Sequence, residues 1–180
     1  MLKVVMWIVI ILGVGIGGIL IYAATLSDDF AVARTVNMKA SPAKIFPLID
    51  DLKSMNSWNP FAMQDPTIKI DYAAATVGKG ASYSWTSNGQ AGQGSLSISD
   101  SRPNDRIDMK LHMDKPMKAD NDIVFALVPK PDGTTDVTWS MTGTRPYIGK
   151  VLAAIFSMDK MVGTPFAQGL RNLQVQAERP

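Results

Sequence analysis

The sequence predicts an α+β chain: a seven-stranded antiparallel sheet closed by a long carboxy-terminal helix, carried behind one apolar amino-terminal helix. Three observations predict it. No charged side chain occurs between Val4 and Ala24. From residue 66 to 144 apolar residues recur at every second position, the period of strands with one covered face. Beyond residue 150 the recurrence lengthens to helical spacing, the mark of a helix with one buried stripe.

The first segment is a membrane span by length and composition. Val4 to Ala24 is 21 residues with twelve Val, Ile or Leu, with Lys3 before it and Asp28-Asp29 after it. As a helix it reaches about 32 Å, enough for a hydrocarbon core of about 30 Å. Its aliphatic residues contribute roughly −4 to −7 kcal/mol toward insertion, before the glycines reduce the sum. A cleavable signal peptide has a shorter apolar region and a small-x-small cleavage site. Here Tyr22 stands where a small residue is needed for cleavage after Ala24. The expectation is an uncleaved anchor, with residues 1–27 as anchor and tether and residues 28–180 as the domain. Lys3 and the amino terminus favour the cytoplasmic side, so the domain is expected on the extracytoplasmic (periplasmic or extracellular) face. Gly13 and Gly17 form a GxxxG pattern. Such a face either dimerises helices or merely tolerates lipid, and the sequence leaves both readings open.

Composition narrows the chemistry of the remainder. With Lys3 set aside, the 18 Lys and Arg leave 17 against 16 Asp and Glu, without a basic run. The electrostatic footprint of a nucleic-acid binder is absent. There are no cysteines and one histidine, His112, so thiolate nucleophiles, disulfides and His-based zinc clusters are excluded. No phosphate loop, Ser-His-Asp set or carboxylate pair at defined spacing is present, and no cofactor is expected. Gly89, Gly92 and Gly94 read as hairpin and strand glycines, since they follow no strand-to-helix turn.

In chain order, residues 31–37 read as a first strand. Ser41-Pro42 opens a helix, with serine as N-cap and proline in the first turn. Ile45, Phe46, Leu48, Ile49 and Leu52 form its apolar stripe, and Pro60 stops helix. Six alternating segments follow, separated by turn signals such as Asn88-Gly89, Arg102-Pro103-Asn104-Asp105 and Pro131-Asp132-Gly133. The closing helix aligns Leu152, Ile155, Val162, Phe166, Leu170 and Leu173 on one stripe. A break is expected at Gly163-Thr164-Pro165, with Thr164 as cap and Pro165 restarting the helix.

Particular stretches carry a family resemblance. They are Ser41-Pro42-Ala43-Lys44-Ile45-Phe46, Trp58-Asn59-Pro60-Phe61 with Asp65-Pro66, Val137 to Gly143 on the last strand, and Met158 to Gly163 with Gly169 to Leu173 on the closing helix. Residues 30–176 resemble the polyketide cyclase/dehydrase-like branch of the START and birch-pollen-allergen superfamily, often called SRPBCC. The resemblance implies the helix-grip fold, a sheet wrapped around a long final helix with a cavity between them. It also implies binding of lipids, isoprenoids or polyketide-like molecules, and in some members their cyclisation. The amino-terminal anchor adds to the minimal family pattern, and Pro165 departs from an unbroken final helix.

Alternation selects the side chains facing such a cavity: Tyr83, Trp85, Leu96, Ile98, Met109, Leu111, Met113, Phe125, Trp139 and Met141, with Ile123, Leu127 and Val137 beside them. Each is equally suited to plain core packing. Three methionines and two tryptophans on one face suit an adaptable pocket, because methionine repacks readily and tryptophan joins area to an N–H. Trp58 either guards the mouth or plugs the loop. Asp159 falls on the stripe of the closing helix, as a ligand-orienting carboxylate, a weak catalytic candidate, or a structural partner. His112 alternates outward with Asp108 and Lys110, a surface position. The functional expectation is a binding domain for a lipophilic small molecule. Its alternatives are a cyclase- or dehydrase-type enzyme and an interaction module with a filled cavity.

Overall fold

Inward apolar and outward polar side chains alternate along each strand, and short turns join neighbours in order. The result is one open antiparallel sheet. The computed structural model describes residues 2–63, 65–89, 91–155 and 159–179, apart from the side chains of residues 2, 9, 159 and 160. Its strands are β1 (Asp29–Met38), β2 (Lys69–Tyr72), β3 (Ser82–Thr86), β4 (Gln93–Arg102), β5 (Arg106–Lys115), β6 (Ala119–Pro129) and β7 (Thr135–Thr144). They lie in the order β1-β7-β6-β5-β4-β3-β2. All expected strands are present, and β1 crosses the sheet to pair with β7.

Ahead of the sheet, α1 (Leu2–Thr25) is apolar and solvent-exposed, and its stretch Lys3–Thr25 is long enough to cross a membrane. After β1 come α2 (Pro42–Asp50), α3 (Leu52–Asn56) and α4 (Pro60–Met63). Ile45, Phe46, Ile49 and Leu52 are buried as their spacing predicts. Two local expectations are corrected. Ser41 is extended at the cap position, but its hydroxyl makes no cap hydrogen bond. Pro60 does not only end helix: it opens α4, where its missing N–H leaves no partner wanting.

The closing helical region is broken more thoroughly than the sequence predicts. It comprises α5 (Tyr147–Ile155), a π-helical turn (Asp159–Gly163) and α6 (Thr164–Ala177). The wider π turn absorbs the break before Pro165, and Gly163 rather than Thr164 occupies the cap position. Phe166, Leu170 and Leu173 are buried, as expected. Leu152 and Ile155 leave the core stripe, because α5 carries no buried residue and packs on α1 instead.

The ladder register gives the sheet two distinguishable ends. β1 begins at Asp29, just after α1, and Asp29 pairs with Thr144. The row Tyr83–Leu96–Leu111–Asn121–Gly143 therefore lies at the end near α1. The pairs Leu127–Val137 and Met38–Thr135 lie at the far end. There α2 and the second half of α6 cover the sheet.

Candidate functional site

The near half of the concave face encloses a partly open cavity of about 290 Å³. Its sheet wall is built from Tyr83, Trp85, Leu96, Leu111, Met113, Ile123, Trp139 and Met141. Its roof comes from Met55, Phe61, Ala62, Val162 and Phe166. Eight of the thirteen side chains that alternation turns inward thus line one. The other five, Ile98, Met109, Phe125, Leu127 and Val137, are buried in packed core.

Trp58 is a plug. Its ring is fully buried, meets Phe125 and Trp139 edge-on, and donates its Nε1–H to the Leu48 carbonyl at 2.8 Å. Asp159 lies outside the described residues as a side chain, although its backbone belongs to the π turn. His112 is exposed, as its outward alternation predicts, and sits between Asp120 at 2.6 Å and Asp114 at 3.3 Å. Its hydrogen bond to Asp120 raises its pKa above the usual imidazole value.

Trp139 joins the wall to the roof. It stacks on Phe166 with centroids 4.0 Å apart and takes Phe61 edge-on. Gly169 permits this approach, since a Cβ there would stand 2.6 Å from Trp139 Cζ3 and 2.9 Å from Pro60 Cδ. Arg34 shares the inward face of β1, opposite Trp139 across the ladder. Among the described residues, two buried polar atoms have no hydrogen-bond partner: the Trp139 Nε1–H and Asn121 Oδ1. Both side chains line the cavity. Each unpaired group costs about 1–3 kcal/mol.

Sequence reasoning missed Asn121. It breaks the apolar alternation of β6, and its signal was the facing Gly143. A Cβ at Gly143 would stand 2.1 Å from Asn121 Oδ1, so the glycine makes room for the amide. Gly94 does the same for Trp85, whose Cη2 would lie 2.7 Å from an added Cβ.

Asp65 anchors the rim and was also missed as a site residue. It accepts from Thr67 N at 2.9 Å, Thr67 Oγ1 at 2.6 Å and Ala91 N at 3.3 Å, and from Ser87 Oγ. The Ser87 hydroxyl above all, then Thr67, pulls its pKa down to about 2. Trp85 closes the same loop by donating Nε1–H to the Ala91 carbonyl at 2.9 Å. The β3–β4 loop is thus tied to the segment before β2, holding one wall of the cavity in place. On the wall itself, burial pushes the Tyr83 phenol far above its ordinary value, so it stays neutral.

Comparison with known proteins shows the fold. No family model matches the chain, and no curated protein matches it. Solved structures do. The KanY protein is 13% identical with a TM-score of 0.63, over 85% of this chain and 100% of its own. A protein from Thermobifida fusca is 19% identical with a TM-score of 0.60, over 82% and 92%. Mll3558 from Rhizobium loti is 17% identical with a TM-score of 0.60, over 82% and 96%. The similarity covers most of this chain, and these names carry no activity.

Proposed function

We propose that this protein is a membrane-anchored, helix-grip domain of SRPBCC type that binds one lipophilic small molecule bearing an oxygen function. The observation that carries the reading is the partly open, mostly apolar cavity. Its walls are apolar over most of their area, the usual lining of small-molecule sites. A volume of about 290 Å³ lies at the lower bound of such sites, roughly 300–1,000 Å³. That size suits a single chain or compact ring system and is too small for a two-tailed lipid. Both unpaired atoms are buried, so a ligand oxygen or hydroxyl pairs with them only once the Trp139 and Asn121 side chains turn toward the cavity. The empty volume argues against a cavity filled by the protein's own side chains.

The membrane reading rests on α1, whose exposed apolar surface is costly in water and favourable in lipid. The amino terminus is assigned to the cytoplasm and residues 28–180 to the extracytoplasmic side, on the charge of Lys3. With the cavity in the α1 half of the sheet, a ligand from the outer bilayer surface has a short path to it. Native mass spectrometry of the full chain, released into mild detergent, tests the binding reading. One apolar oxygenated molecule per chain is expected. Repeated recovery of empty protein that takes up neither fatty acids nor fatty alcohols would overturn it.

A further inference from the structure

The apolar face of α5 is only partly covered, by α1. Tyr147, Ile148, Val151, Leu152 and Ile155 follow one another at helical spacing, yet no residue of α5 is buried. Ile148 and Ile155 are 55% and 54% exposed. The next described apolar residue beyond α5, Met161, is exposed as well. In a protein whose sheet face is otherwise well covered, this segment stands out.

What α5 does contact fixes its depth. Tyr147 Oη donates to the Leu20 carbonyl at 2.8 Å. Leu20 lies inside the apolar run of α1, about 6 Å before its end at Ala24, at 1.5 Å per residue. Ala23 is fully buried beside this junction. On its polar side α5 is fastened to the start of the domain. Lys150 pairs with Asp28, and the Arg145 N–H donates to the Asp28 carbonyl at 2.9 Å. Arg145 Nε donates to the Ser27 carbonyl at 3.2 Å. A bilayer that accepts α1 up to Ala24 must therefore also receive the first turn of α5.

We infer that α5 is an interfacial membrane helix, lying along the lipid surface with Tyr147, Ile148 and Ile155 turned into the headgroup–acyl boundary. The depth set by Tyr147 and Leu20 matches that of amphipathic helices lying in this boundary, roughly 5–10 Å. Tyrosine at its first turn suits the interface, where amphipathic rings concentrate. The domain is then held at two points, by a span and by a surface helix, so it cannot swing about its short tether. This fixed orientation keeps the near end of the sheet, with its cavity, against the lipid. The inference rests on the proposal that α1 spans the bilayer.

The natural chain has no cysteine, so a single introduced one can carry a nitroxide label. Full-length protein is labelled in turn at Ile148→Cys, Ile155→Cys, Val14→Cys and Val175→Cys, then reconstituted into phosphatidylcholine–phosphatidylglycerol vesicles. Collision with oxygen, which enters lipid, is compared with collision with a water-soluble nickel chelate. The Val14 label reports the span, and the Val175 label, exposed on α6, reports water. At Ile148 and Ile155 the oxygen-to-nickel ratio is expected several-fold above that at Val175, approaching the Val14 value. Ratios at both α5 positions equal to Val175, with Val14 lipid-exposed, overturn the inference while leaving the anchor intact. A water-like ratio at Val14 overturns the anchor itself, and the surface helix with it.

Discussion

The two halves of the concave face are made from the same strands and the same alternation, yet one is packed solid and the other holds a cavity. At the far half, Phe125, Leu127 and Val137 meet Ile45, Ile49, Leu170 and Leu173, with Trp58 wedged behind them. At the near half small or polar positions interrupt the lining: Ala62, Ala91 and Asn121, with Gly94 and Gly143 on the strands. The cover differs too. α2 and the second half of α6 seal the far half, whereas α4 and the π-helical turn, with Met55 and Phe166, roof the near half. Alternation thus decides which side chains face inward, and the covering elements decide whether those side chains find partners.

The largest expected contrast is in stability. Leu170→Ala, in the packed half, is expected to cost about 2–5 kcal/mol, because the site cannot collapse around the lost methyls. Leu111→Ala removes the same atoms from a wall that already borders open volume. It should cost nearer 1 kcal/mol, since fewer contacts are lost. Denaturant unfolding of both full-length variants measures the difference, and equal losses would break the distinction between the halves.

A second variant sharpens it with the opposite sign. Asn121→Leu deletes a buried acceptor without a partner, so the ligand-free protein is expected to gain about 1 kcal/mol. The same change should weaken binding of an oxygenated ligand by roughly three- to tenfold, the worth of one hydrogen bond. A variant both less stable and equally competent would show that Asn121 serves structure alone.

Acid should loosen the near half before the far half. The ionised form of Asp65 is favoured in the folded protein, with a pKa of about 2, so its contribution is complete above the ordinary carboxylate value near 3.9. It is lost as pH falls from there through 2. Hydrogen exchange at the Ala91 amide, which donates to Asp65, is expected to accelerate in this window while amides of β7 stay protected. Asp65→Asn should produce the loosened loop already at neutral pH.

The smallest effect belongs to His112. Its pKa is raised by Asp120, so the ion pair contributes fully below the unfolded value near 6.5 and fades as pH rises through the folded value. Its exposure keeps the effect slight. Comparison of unfolding midpoints between pH 6 and 8 should show a small decline that His112→Gln removes.

Much of this architecture was legible in the sequence, and for definite reasons. The period-two alternation fixed seven strands and their inward faces, and the spacing of Phe166, Leu170 and Leu173 fixed the buried stripe of the last helix. Eight of the thirteen sheet residues turned inward line the cavity. Ile98, Met109, Phe125, Leu127 and Val137 do not, because alternation carries no information about what lies across from a residue. The same limit assigned Leu152 and Ile155 to a core they never enter. Periodicity marks an apolar face, but here the partner of that face is α1, more than a hundred residues earlier in the chain. Asn121 was hidden because its meaning depends on Gly143, a cross-strand neighbour.

The central claim is that the near-half cavity is a binding site for a lipophilic molecule. It is tested most directly by titrating the full chain with a fluorescent fatty acid, with two variants alongside. Ala62→Phe fills the roof of the cavity, and Val128→Phe adds the same ring on the exposed face of β6. The account predicts saturable uptake of one molecule per chain, unchanged by Val128→Phe and lowered at least tenfold by Ala62→Phe. No uptake by the natural chain, or equal uptake by all three proteins, would contradict it.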